Sequence, residues 1–165
     1  MKRTAIDPDL FDARGPQVRS FVKTTTIDAP PEKVYEIWTD AAAFVAAYAS
    51  PNVDLRAEID LAIGGRYEWL WDGVTGSNGC QILSYIPNRM ISFSWNAPPS
   101  QPESRAKRTW VVVEFERSRE GGTHLTLTHL GFGTAPHWQE TFEYFSAAWL
   151  HVLEQFKRAL EGGGE

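Results

Sequence analysis

HWQETFEYFSAAWLHVLEQFKRALE, residues 137–161, reads as one uninterrupted helix with a largely aromatic stripe. Trp138, Phe142, Phe145, Trp149, Val152, Phe156 and Leu160 recur at steps of three and four, the repeat of a single helix face. A helix of about 25 residues is about 37 Å long, and no upstream segment is long enough to pack beside it as an equal. A sheet must therefore cover it. Side chains this large seldom tile a flat sheet without gaps, so a curved sheet wrapped round the helix is expected to leave a concave apolar pocket.

Upstream, RSFVKTTTI (residues 19–27) is rich in β-formers and reads as a first strand, followed by Asp28-Ala-Pro-Pro-Glu. Asp28 is the expected cap of a short amphipathic helix carrying Val34, Tyr35, Ile37 and Trp38, with Pro30 and Pro31 in its opening turn. A second, poorer helical piece runs from about Ala41 to Tyr48. After Pro51 the pattern turns to alternation: Val53 to Ile59, Tyr67 to Trp71 after Gly64-Gly65, Gly79 to Ile86, Met90 to Trp95, Thr109 to Phe115 and Thr123 to His129. Short turns between these runs imply antiparallel neighbours, since parallel pairing needs crossovers. The fold expected is α+β: a bent antiparallel sheet of about seven strands round the C-terminal helix, with two short helices after the first strand. Residues 1–17, broken by Pro8, Gly15 and Pro16, read as a tail or loosely docked arm, and residues 18–162 as a single domain.

The net charge of −5 argues against nucleic acid. A single cysteine, Cys80, rules out an intrachain disulfide and fits the cytoplasm, and it reads as a buried structural thiol in a strand. No apolar run approaches the length of a membrane span, so no membrane insertion is expected. Seven tryptophans within 13% aromatic residues are the compositional excess. Such surface serves as core or as ligand contact.

Four stretches in this order resemble the START-like, or SRPBCC, superfamily with its helix-grip, birch-pollen-allergen-like fold. They are IDAPPEKVYEIWTD (27–40), the Gly64-Gly65-Arg66-Tyr67 turn and strand, PNRMISFSW (87–95), and GGTHLTLTHLGF (121–132) leading into the helix with Trp149. Within that superfamily the chain most resembles the bacterial stand-alone form of the heat-shock-protein-90 ATPase activator homologue family. Relatives often carry a tryptophan-rich segment where this chain has FVAAYASPN, which implies a pocket wall rebuilt around Phe44 and Tyr48. The resemblance implies a fold and a cavity; it leaves a homodimer or a chaperone partner open.

The leading expectation is a small hydrophobic ligand, aromatic or lipid-like, held between sheet and helix. Trp69, Trp71, Phe93, Trp95, Trp138, Phe142, Phe145 and Trp149 are expected to give shape and apolar area, and Tyr48, Tyr67 and His129 the orienting polar contacts. His129 shares strand parity with Leu125 and Leu127 and is expected to point inward near the pocket mouth, either as a hydrogen-bonded structural group or as a ligand donor or general acid. His124, on the opposite parity, should be exposed. The open end is expected near Trp138, Tyr48 and His129. Arg56, Glu58, Arg66, Glu68 and Glu114 read as the solvent side. His124 and His129 face opposite ways, and His137 and His151 lie too far apart on the helix to share an ion, so neither a metal nor another cofactor is expected. A cyclase or dehydratase acting through His129 or a tyrosine is one alternative, weakened by the lack of a convincing acid/base pair. Regulation of a chaperone ATPase is the other.

Overall fold

Period-two alternation yields seven strands among the described residues, which are 3–12, 19–48, 52–71 and 76–162 of this computed structural model. They are β1 (Arg19–Ile27), β2 (Arg56–Ile59), β3 (Tyr67–Leu70), β4 (Ile82–Ile86), β5 (Met90–Trp95), β6 (Thr109–Arg117) and β7 (Thr123–Phe132). One antiparallel sheet runs in the order β1-β7-β6-β5-β4, and β2 and β3 form a separate hairpin. That hairpin is tied to the start of β4 by backbone bonds from Tyr67 to the Cys80 carbonyl at 2.9 Å and from Ile82 to the Gly65 carbonyl at 2.8 Å. The join lets the hairpin turn in towards the helix. Gly65 is required at the bend, since a Cβ there would lie 2.0 Å from the Asp60 carbonyl oxygen.

The helices are α1 (Pro31–Thr39), α2 (Ala41–Tyr48), α3 (Pro102–Arg105) and α4 (His137–Glu161), so the long helix has the bounds its pattern predicts. Its buried residues are Trp138, Thr141, Phe145, Trp149, Val152, Leu153 and Phe156. They face an inner sheet layer in which Phe93 pairs with Val111 and Val111 with His129, while Ile91 pairs with Val113 and Val113 with Leu127. Trp38 of α1 closes the layer from one end, with its ring centroid 5.2 Å from that of Phe156 and 5.9 Å from that of Trp69. The charged strand residues Arg56, Glu58, Arg66 and Glu114 are exposed on the other side, where Arg66 pairs with Glu58.

Three local expectations are corrected. Asp28 does not cap α1: the helix starts behind Pro30 with no side-chain cap, and the Asp28 backbone N–H donates to Glu161 Oε2 at 2.9 Å. Strand β7 runs past His129 to Phe132, because Gly131 adopts a φ of 93° where the strand rides over the Trp110 ring. The Pro-rich connector after Trp95 contains the single turn α3, fastened to α4 by Thr141, whose hydroxyl lies 2.7 Å from Gln101 Oε1 and 2.6 Å from Ser104 Oγ.

The segment 3–12 lies along the domain. Arg108 N–H donates to the Leu10 carbonyl at 2.7 Å, Phe11 packs edge-on against Trp110 at 5.9 Å, and Trp138 donates to Asp12 Oδ2 at 3.3 Å. No described helix is long and apolar enough to cross a membrane.

Candidate functional site

A cavity of about 380 Å³ opens between the β2–β3 hairpin, the end of β5, the α3 connector and one strip of α4. Each wall follows from local sequence. On β3 the inward parity brings Trp69 to the cavity, with Trp71 next on the same side; Trp95 ends the inward set of β5. From α4, Tyr144, Phe145, Ala148, Trp149, His151 and Val152 contribute, the spacing of one helix strip. Tyr48 closes the outer side from α2. Its ring lies 5.1 Å from Trp71 and stacks at 6.0 Å on Phe44, which itself stacks at 4.3 Å on Trp69. Burial raises the Tyr48 phenol above its ordinary range, with Tyr144 adding to the effect.

Six of the expected residues therefore meet at one cavity: Tyr48, Trp69, Trp71, Trp95, Phe145 and Trp149. The other five are elsewhere. Tyr67 is fully buried, stacks at 4.1 Å on Phe93 and donates its hydroxyl to the Trp38 carbonyl at 2.7 Å, so it has no free group to offer. Phe93 lies in the same closed layer. Trp138 and Phe142 pack on Phe132 at 6.2 and 5.2 Å at the far end of α4. That end is not open as expected, because the extended β7 and the Asp12 contact fill it.

His129 points inward, as its parity requires, but sits behind the cavity wall rather than at its mouth. It is fully buried; Trp149 Nε1 donates to its Nδ1 at 2.9 Å, and its Nε2 lies 2.7 Å from Thr109 Oγ1. A donor at Nδ1 leaves the proton on Nε2, which then donates to Thr109. Burial pushes the imidazole down to about 3. A neutral, doubly bonded ring of this kind is poorly placed to move protons for a ligand. What it does is fix the indole plane of Trp149. His124, by contrast, is exposed and lies 3.1 Å from Thr26 Oγ1.

The polar part of the cavity comes from residues the sequence pattern does not single out. Ser77, Asn96 and Arg105 line one corner. Arg105 joins the two strand ends there, donating to the Ala97 carbonyl at 2.6 Å and to the Gly76 carbonyl at 2.9 Å. Gly76 tolerates no side chain, since a Cβ would lie 1.9 Å from the Trp69 carbonyl oxygen. Behind the corner, buried Cys80 donates to Asn96 Oδ1 at 3.5 Å, and burial pushes its thiol up to about 12. Among the described residues, no three His, Cys, Asp or Glu side chains converge as a metal site would need.

A long helix gripped by a bent antiparallel sheet, with an aromatic cavity between them, defines a helix-grip domain. Residues 28–161 match the family described as Activator of Hsp90 ATPase homolog 1-like protein, and the chain belongs to that family. No curated protein matches it in sequence. Solved structures share the fold at low identity. A crystal structure from Mesorhizobium loti has a TM-score of 0.70 and 22% identity, covering 87% of this chain and 97% of that one. The solution structure of the Aha1 dimer from Colwellia psychrerythraea gives 0.65 and 17%, covering 89% and 99%. Crystalline CalU16 from Micromonospora echinospora gives 0.63 and 20%, covering 87% and 77%.

Proposed function

We propose that this protein binds a small hydrophobic molecule, aromatic or lipid-like, in the cavity between hairpin, sheet and α4. One observation carries the reading: Trp69, Trp71, Trp95 and Trp149 line an open cleft of about 380 Å³, with Tyr48 and Phe145 completing its aromatic wall. A concave, mostly apolar cleft of this size with a few polar groups at one corner is the usual form of a small-molecule site. The cyclase reading loses His129, which lies behind the cavity wall with both nitrogens engaged, and is left with the phenols of Tyr48 and Tyr144 on that wall, of which Tyr48 is held above its ordinary range by burial and so is slow to give up its proton. Chaperone regulation and self-association draw support from the family description and from the Colwellia relative described as a dimer, not from a feature of this cavity.

The test uses uncharged apolar compounds and intrinsic tryptophan fluorescence. Naphthalene-sized alcohols should quench or shift the emission saturably at micromolar to sub-millimolar concentration. Ala148→Phe, which adds a ring on the α4 strip inside the cavity, should abolish that response while the protein stays folded. Saturable binding that survives Ala148→Phe unchanged would place the ligand elsewhere.

A further inference from the structure

The charge arrangement at the polar corner identifies the ligand class. Resting on the cavity reading, we infer that the ligand is an apolar or aromatic carboxylate, whose anionic group is received by Arg105, Asn96 and Ser77 while its body lies against the tryptophans.

The corner offers donors, and Arg105 is the one Lys or Arg among the described lining residues, with Arg108 near enough to add to the local positive charge. Arg105 is half-buried and forms no ion pair among the described residues; beyond its two carbonyl bonds its remaining N–H groups have no partner among them. Nor does any Asp or Glu among the described residues line the cavity. Asn96 is 5% exposed, and with Oδ1 taken by Cys80 its amide N–H groups have no partner among the described residues. Ser77, 4% exposed, accepts from the Trp69 backbone at 2.8 Å, which leaves its hydroxyl proton to donate. The Arg105 tethers run to Gly76 and Ala97, next in sequence to Ser77 and Asn96, so the three groups are held together.

A guanidinium drawn out of water without a counter-ion is costly, and partial burial already lowers its affinity for the proton. It is kept in place from behind: α3 is bolted to α4 through Gln101, Ser104 and Thr141. The purely structural alternative, a tether for two carbonyls, explains those two bonds but not the Asn96 amide and Ser77 hydroxyl set beside them on the cavity wall. A planar guanidinium fork matches a carboxylate, and the apolar wall beside it matches the body of an aromatic or aliphatic acid.

The experiment compares 2-naphthylacetate with its uncharged counterpart 2-(2-naphthyl)ethanol by calorimetry at pH 7 and low salt. The acid is expected to bind at least tenfold more tightly than the alcohol. Arg105→Gln should weaken the acid about 10- to 100-fold and the alcohol less than threefold. Asn96→Asp, which keeps the Arg105 tethers and the acceptor for Cys80, provides a second variant should the first not fold; it should also abolish the preference for the acid. Equal affinity of acid and alcohol in the wild-type protein, or an acid preference that survives both variants, overturns the inference and leaves the cavity reading standing. Absence of saturable binding by either compound overturns both.

Discussion

Acid should destabilise this protein through His129 before its carboxylates titrate. The folded imidazole is held at about 3 by burial, against 6.5 in the unfolded chain. Between those values the unfolded state takes up a proton that the folded state refuses, so stability is fully present above about pH 6.5 and falls as pH is lowered towards 3. Each pH unit in that window costs about 1.4 kcal/mol, which amounts to about 2 kcal/mol at pH 5 and approaches 5 kcal/mol near pH 3. The assay is denaturant unfolding at pH 7, 6 and 5 for wild type and His129→Gln. The glutamine side chain can still accept from Trp149 and donate to Thr109, but it does not titrate. The wild type should lose about 2 kcal/mol more than the variant between pH 7 and pH 5. Should the variant not fold, the ring nitrogen resonances of His129 in the wild type give the same answer, by staying in the neutral Nε2–H form down to pH 5. Parallel stability profiles, or an imidazole that titrates near 6.5 in the folded state, would refute the reasoning.

Two further outcomes follow from the packing. Trp149→Ala should cost about 3–5 kcal/mol in denaturant unfolding, because it empties the centre of the helix stripe and strands the Nδ1 of His129; a change below about 1 kcal/mol would mean that the sheet does not grip the helix there. Cys80 should resist alkylation at pH 8 in the native protein and react at the unfolded rate in denaturant, as expected of a buried thiol pushed up to about 12.

Periodicity made the scaffold legible and left the cavity half-legible. The repeat of α4 and the alternation of β5 and β7 identify which side chains point inward, because both follow from backbone geometry alone. Parity carries no information about depth. Tyr67 and Trp69 share a parity and are both buried, yet Tyr67 is covered by Phe93 and the Trp38 backbone while Trp69, two residues on, forms part of the cavity wall. His129 was open to misplacement for a related reason: its strand continues through Gly131 to Phe132, so a residue expected near the strand end is interior. The GF dipeptide after HL was the available signal, since a glycine inside a strand pattern often marks a bulge rather than a stop. The polar corner had no comparable signal. Ser77, Asn96 and Arg105 come from three separate stretches, two of them irregular, and tertiary hydrogen bonds, those of Arg105 to Gly76 and Ala97 among them, bring them together.

The tryptophan indole N–H resonances test the central claim most directly, because the seven indoles divide by position. Trp69, Trp71, Trp95 and Trp149 line the cavity, whereas Trp110 lies on the other side of the sheet against Phe11. On titration with 2-(2-naphthyl)ethanol, the indole signals of the lining four should move together along one saturating curve while that of Trp110 stays still. Motion of the Trp110 signal on that same curve, or lining signals that do not move at saturating ligand, would contradict a binding cavity between sheet and helix.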